Sequence, residues 1–311
     1  MNKIICVAGP TASGKTSLAV ELAKLTDGEV VSCDSMQIYK RMTIGTAKPV
    51  PEEMDGIVHH MIDVAEPDEA FSVSRYCEMA TPIVDDILAR GKTAIIAGGT
   101  GLYMDSLIRG NDFAPFPATG QRARLEAQAD REGMEAMLNL LHTIDPESAA
   151  RLHLADRKRI FRALEVYYET GETITAHNLK TQAIPPRYSP LWLGLDFEDR
   201  AELYRRIDLR VSIMLEQGLV QEIRDLLASG IPAGCTAMQA IGYKEFVDAS
   251  DGKMSIEEAA DQVRQSSRRY AKRQLTWFRR NKDMHWLIRR TGEGPEEILR
   301  QANLLAREFD N

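Results

Sequence analysis

GPTASGKT, Gly9 to Thr16, follows the apolar run Ile4-Ile5-Cys6-Val7-Ala8 and precedes a helix-favouring segment from Ser17 through Leu25. Strand, glycine-bearing turn and helix in that order make a phosphate-binding loop. Gly9 and Gly14 let the backbone wrap closely, so the loop residues Gly9, Pro10, Thr11, Ala12, Ser13, Gly14, Lys15 and Thr16 form a candidate diphosphate cradle. Lys15 adds a point charge and the Thr16 hydroxyl can hold Mg²⁺. The positive end of the following helix faces the same anion. The ligand expected is a diphosphate or a triphosphate.

The rest of the chain can be placed around that loop. At 311 residues and 44% hydrophobic content it can bury a full core. The opening MNKIICVAGP has no basic leader or apolar signal core, and no apolar run reaches the roughly 18 residues a membrane span needs. Cys6, Cys33, Cys77 and Cys235 form no C-x-x-C pair, so neither a zinc site nor a disulfide framework is indicated, and a reducing cytoplasm is expected. A net charge of −7 argues mildly against a nucleic-acid partner, although distribution overrides the total.

The first third alternates strands and helices, as a parallel sheet with crossover helices does. Strands are expected at Lys3 to Ala8, Glu29 to Cys33, His59 to Val64 and Thr93 to Ala97, with a helix capped by Ser72 and stopped at Gly91. After Asn111 the texture changes. Phe113 to Pro117 reads as a stiff connector, Gln121 to Tyr168 as charged helices, and the proline-bearing stretch Ala183 to Pro190 as a return linker. Leu191 to Leu195 then rejoins the sheet and His285 to Ile288 adds a last strand. Glu198 to Gln217 reads as an amphipathic helix, and a long helix starts at the Ser255/Glu258 capping box. The expected class is therefore α/β, a P-loop NTPase-like parallel sheet core (1–112 and 190–311) with a helical insertion domain (113–189).

Chemistry gathers at a few places. Asp34, in VVSCDSMQIY, closes the second strand on the side where open α/β sheets build their sites, although aspartates there also cap turns. The strand Thr93 to Ala97 ends in Gly98-Gly99-Thr100 rather than in an acid that would hold a metal for nucleotide hydrolysis. Arg206 and Arg210 share one helix face. Asp156 to Tyr167 gathers Arg157, Lys158, Arg159 and Arg162, either as a solvated face or as a phosphate-tracking one. Arg264 to Lys282 carries eight cations and no acid, with Tyr270, Trp277 and Phe278 interleaved; this is either a solvated helix face or, the favoured reading, the footprint of a nucleic-acid backbone surface, with Trp277 and Phe278 expected in the core.

GPTASGKT, DSMQIY, IGTAKP at Ile44 to Pro49, GGTGLY at Gly98 to Tyr103, RALEVY at Arg162 to Tyr167, AIGYKE at Ala240 to Glu245 and YAKRQLTWFR at Tyr270 to Arg279 together resemble the tRNA dimethylallyltransferases along nearly the whole chain. The resemblance implies prenyl transfer from dimethylallyl diphosphate to N6 of the adenosine immediately 3′ of the anticodon. The loop would then hold the donor's diphosphate, with Mg²⁺ on Thr16. By motif, Asp34 corresponds to the general base, and Thr16 and Arg210 to diphosphate contacts, joined by Arg206. The family's tRNA contacts map to Asp34, Ser35, Met36, Gln37, Thr100, Arg122, Lys158, Arg159, Ile160, Phe161 and Arg162, and to Gln239, Gly242, Tyr243, Lys244, Arg268, Lys272, Arg273 and Arg279. Lys158 stands where Gln is frequent and Lys244 where Arg is. A monomer bound to the anticodon stem-loop, with no membrane contact, is expected. The alternatives are an adenylate isopentenyltransferase acting on free nucleotide, a P-loop small-molecule kinase with Asp34 activating a hydroxyl, and an RNA-binding module using the loop as a switch.

Overall fold

The computed structural model describes residues 2–110 and 119–310; the connector expected at Phe113 to Pro117 lies outside them. In chain order the elements are β1 (Lys3–Ala8), α1 (Lys15–Leu25), β2 (Gly28–Ser32), α2 (Pro51–Met54), β3 (His59–His60), α3 (Val73–Ala89), β4 (Thr93–Gly98) and α4 (Gly101–Arg109). Helices α5 (Gln121–Ile144), α6 (Pro146–Ala149), α7 (Arg157–Thr170) and α8 (Ile174–Ala183) come next. They are followed by β5 (Ser189–Phe197), α9 (Arg200–Glu216), α10 (Leu219–Ala228), α11 (Lys244–Ser250), α12 (Ile256–Phe278), β6 (Met284–Arg289) and α13 (Pro295–Asp310).

The strands form one sheet in the order β3-β2-β4-β1-β5-β6, and every pairing is parallel. Strands covered on both faces must be apolar throughout, and Ile4 to Ala8 are all buried. Ile5, Val7, Val30, Ile95, Leu193 and Leu287 pack on one face against Leu18 and Leu22 of α1 and Ile298 and Ala302 of α13. Tyr76 of α3 stacks on Tyr103 of α4 at 4.7 Å and donates its hydroxyl to the Ser32 carbonyl at 3.0 Å. Ser72 caps α3 by accepting the Arg75 N–H. The Ser255/Glu258 capping box opens α12.

Two expectations are corrected. The strand expected over His59 to Val64 ends at His60, because Met61 and Asp63 take left-handed backbone (φ 61° and 56°) that breaks the ladder. The strand expected from Leu191 starts at Ser189. Ser189 and Pro190 already pair with Lys3 and Ile4, and the Ile108 carbonyl accepts the Arg187 N–H at 2.9 Å.

The chain separates into two compact units, Met1–Gly110 with Pro186–Asn311, and Asn111–Pro185. The second has its own core, in which Leu125, Met137 and Leu141 of α5 meet Ile160, Phe161 and Leu164 of α7. The buried Asp145 carboxylate caps α6 at Ser148 and binds the Thr175 N–H and hydroxyl at 3.0 and 2.8 Å. Among the described residues no helix is long and apolar enough to cross a membrane.

Candidate functional site: a phosphate cradle beside a carboxylate

A Cβ on Gly9 would lie 2.9 Å from the Leu195 carbonyl, so only glycine lets the loop leave β1 against β5. Gly14 then takes φ 93° as the N-cap of α1, which opens directly onto the loop. The Lys15 ammonium donates to the Pro10 carbonyl at 2.7 Å, folding the side chain back over the cradle. Ser13 Oγ is buried without a hydrogen-bond partner, a donor suited to an anion's oxygen.

The ends of β2 and β4 meet closely beside this loop. A Cβ on Gly98 would come within 2.0 Å of the Cys33 carbonyl oxygen, which is why glycine stands there. Thr100 Oγ1 accepts the Ser35 N–H at 3.0 Å. Asp34 Oδ1 accepts the N–H groups of Met36 and Gln37 at 2.8 and 3.4 Å, so this carboxylate caps its own turn. It also lines the cavity above the loop.

That cavity is about 710 Å³ and carries a cationic end and an apolar stretch. Arg206 donates to the Ala12 carbonyl at 3.0 Å, and Arg210 reaches Thr11 Oγ1 at 3.5 Å. The same helix adds Leu209 and Ile213, exposed and four residues apart, to the lining. Burial pulls the Lys15 ammonium down to about 8; the Asp34 charge opposes this shift and Arg210 reinforces it. Arg210 is lowered by burial and by Arg206. Crowded, half-dehydrated cations of this kind gain most from an incoming polyanion. Burial and the Asp34 charge together push the Tyr270 hydroxyl above its ordinary range.

One residue here was not singled out by sequence reading. Gln274 of α12 is buried, donates to the Gly99 carbonyl at 3.0 Å and accepts the Thr11 N–H at 2.8 Å. Next to it, Gly101 leaves room for the Trp277 indole, which a Cβ would meet at 2.2 Å. The available signal was a lone amide on the apolar face of a basic helix.

The residues matched to RNA contacts fall into different environments. Lys158, Arg159 and Arg162 are exposed on α7, whereas Ile160 and Phe161 are core residues. Their side chains are therefore packed inside, which leaves only their backbone groups for a partner. Arg122 lies over the Phe161 ring at 5.0 Å. Gln239 and Lys244 are exposed and Gly242 is buried, as is Tyr243, whose hydroxyl binds Glu222 at 2.6 Å. The Tyr243 side chain too is packed inside. On α12, Lys272 and Arg273 are exposed, but Arg268 pairs with Asp208 at 2.7 Å and Arg279 with Asp196 at 2.9 Å. Trp277 donates to Asp105 at 2.9 Å and Phe278 is buried, so the basic stretch is less free than its composition indicates.

Comparison with known proteins bears on this geometry. A family model described as IPP transferase matches residues 37–281. A tRNA dimethylallyltransferase of Acetivibrio thermocellus is 44% identical over 301 residues, 96% of each chain. One of Bacillus cytotoxicus is 46% identical over 299 residues, 96% of this chain and 94% of the other. The crystal structure of the full-length tRNA isopentenylpyrophosphate transferase of Bacillus halodurans has a TM-score of 0.75 at 40% identity, covering 100% of this chain and 97% of that one. A eukaryotic dimethylallyltransferase acting on tRNA reaches a TM-score of 0.86 at 28% identity, over 99% of this chain and 79% of that one. With the cradle, the strand-end carboxylate and the matched span all lying in one architecture, the chain belongs to the IPP transferase family.

Proposed function

We propose that this chain transfers a dimethylallyl group from dimethylallyl diphosphate to N6 of the adenosine immediately 3′ of the anticodon in tRNA, releasing diphosphate. The observation that carries this reading is a single cavity holding Lys15, Arg206 and Arg210, the apolar Leu209 and Ile213, and Asp34. An anionic head with a short hydrocarbon tail matches the first two features, and a nitrogen nucleophile needs the third.

In the reaction the donor C–O bond breaks and its electron pair leaves on the diphosphate. The N6 lone pair forms the new C–N bond, and an N6 proton passes to the Asp34 carboxylate. Lys15, Arg206, Arg210 and the loop amides stabilise charge as it grows on the leaving group, usually the largest catalytic contribution. A stacked base cannot reach the loop, so the adenosine is extruded first. Exposed cations on α7 and α12, with Lys244, would hold the RNA backbone.

The residues present suit Mg²⁺. It takes one or two protein ligands and completes its shell with phosphate oxygens and water. The Thr16 hydroxyl lines the cavity, while the described residues contain no cluster of three or more acids or other metal ligands. The ion would supply additional positive charge to the departing diphosphate.

The test is incubation with labelled dimethylallyl diphosphate, Mg²⁺ and unmodified tRNA. Label in the RNA, with none on free AMP and no phosphoryl transfer from ATP, is the expected result. Label on AMP alone, or phosphoryl transfer, would reject the proposal.

A further inference from the structure

Glu222, on α10, is not a member of the cradle, yet its carboxylate is heavily engaged beside the cavity wall. It accepts the backbone N–H groups of Thr43 and Ile44 at 2.9 and 2.8 Å, that of Gly45 at 3.2 Å, and the Tyr243 hydroxyl at 2.6 Å. Three consecutive amides aimed at one point make an anion nest, and here the chain fills it with its own carboxylate. Gly45 is required for this approach, since a Cβ there would come within 2.4 Å of the Tyr243 ring.

The clasped segment forms part of the cavity wall, to which Thr43, Ile44, Thr46 and Ala47 all contribute. It continues the arrangement inward. Gln37 donates to the Thr46 and Ala47 carbonyls at 3.3 and 3.1 Å, and Gln37 closes the turn that Asp34 caps. Glu222 is thus tied through the 43–47 wall to the carboxylate that faces the substrate. Burial, and the Glu222 charge and hydrogen bond, hold the Tyr243 hydroxyl protonated far above its ordinary range, so it remains a donor to Glu222.

We infer that Glu222, with Tyr243, is a positioning residue that sets the Ile44 wall of the donor cavity, and that this wall, together with Leu209 and Ile213, gives the site its preference for an anion carrying a hydrocarbon tail. The inference rests on the prenyl-diphosphate reading. It separates two contributions to donor affinity. The cradle and arginines bind the diphosphate, while the clasped wall joins Leu209 and Ile213 in excluding water from the tail.

Two ligands read these contributions independently: dimethylallyl diphosphate and inorganic diphosphate, each titrated calorimetrically in the presence of Mg²⁺. In the unaltered protein the prenyl ester is expected to bind more tightly than inorganic diphosphate. In Glu222→Gln, where the amide presents donors to the nest, prenyl-ester affinity should fall about tenfold, the equivalent of one strong hydrogen bond, with inorganic diphosphate changed less than about twofold. Tyr243→Phe, which keeps the ring and removes only one hydroxyl, should move the same ratio in the same direction. Asp225→Asn, exposed on the same helix, should leave it unchanged.

An unaltered protein that binds both ligands equally would overturn the prenyl-diphosphate reading. A normal preference that survives in both variants would overturn the clasp alone. Equal losses for the two ligands would also overturn it, because they indicate general loosening of the fold. Should Glu222→Gln not fold, the Tyr243→Phe ratio decides.

Discussion

The side-chain oxygen of Gln274 accepts the backbone N–H of Thr11 at 2.8 Å, joining residues 263 positions apart. Because its amide nitrogen also donates to Gly99, one buried side chain fixes the phosphate loop against the end of β4. Gln274→Ala leaves a donor and an acceptor unmatched, so unfolding by denaturant should show a loss of about 1–3 kcal/mol. Gln274→Glu should keep the Thr11 bond but oppose both the Gly99 carbonyl and an incoming diphosphate. It is expected to bind donor more weakly than the alanine variant, and equal donor affinities in the two would show that Gln274 acts only on stability.

A single substitution separates the turn cap that Asp34 makes from the proton-accepting role proposed for it. Asn at this position retains an oxygen for the Met36 N–H but cannot take a proton. Asp34→Asn should therefore fold normally and bind donor within a few-fold, while label transfer to tRNA falls by about 10²–10⁴, the range for loss of a general base. Near-normal turnover would exclude the carboxylate as the base.

Lys15 gives the cradle a pH dependence. Its ammonium in the free protein titrates near 8, lowered chiefly by burial. The protonated form binds the anion better, so diphosphate affinity should decline as pH rises through about 8. Lys15→Arg keeps its charge across that window, and its affinity should stay level to pH 10. Parallel declines in the two proteins would place the titrating group elsewhere.

The ion pairs on α12 change what its cations are expected to do. Arg268 is already matched by Asp208, whereas Lys272 is exposed. Lys272→Ala should lower the slope of log affinity against log salt for tRNA by about one, and Arg268→Ala by much less. Equal changes would mean that the Arg268–Asp208 pair opens on binding RNA.

At the opposite end of β2, Glu29 receives two Arg90 hydrogen bonds at 2.5 and 2.8 Å, with His60 at 2.8 Å and Lys92 at 3.3 Å. Arg90 above all, helped by His60 and Lys92 and opposed by burial, holds the carboxyl well below the usual range. A depressed folded-state value adds stability above the unfolded value of about 4.3 that is lost as pH falls below it. Glu29→Gln should cost about 1–3 kcal/mol at pH 7, and the gap should narrow below pH 4.

Much of this was legible because local chemistry and global fold agree. GPTASGKT, the apolar Ala94-Ile95-Ile96 and the Ser255/Glu258 box each name an element that forms where expected. What stayed hidden depends on long-range approach. Nothing near Gln274 in the chain reveals that it meets Thr11, and nothing near Glu222 reveals the nest at Thr43 to Gly45. Charge counting also overstated the free surface of α12, since Asp208 and Asp196 lie far from it in sequence. The shortened β3 reflects left-handed Met61 and Asp63, a conformation that composition does not disclose.

The pairing of Lys3 with Ser189 has a consequence for biosynthesis. One flank of the apolar β1 stays bare on the ribosome until every helix from α5 to α8 has been translated. An unpaired strand of this kind invites association with other nascent chains. The stretch that must be made before that flank is covered includes the helices that carry a core of their own.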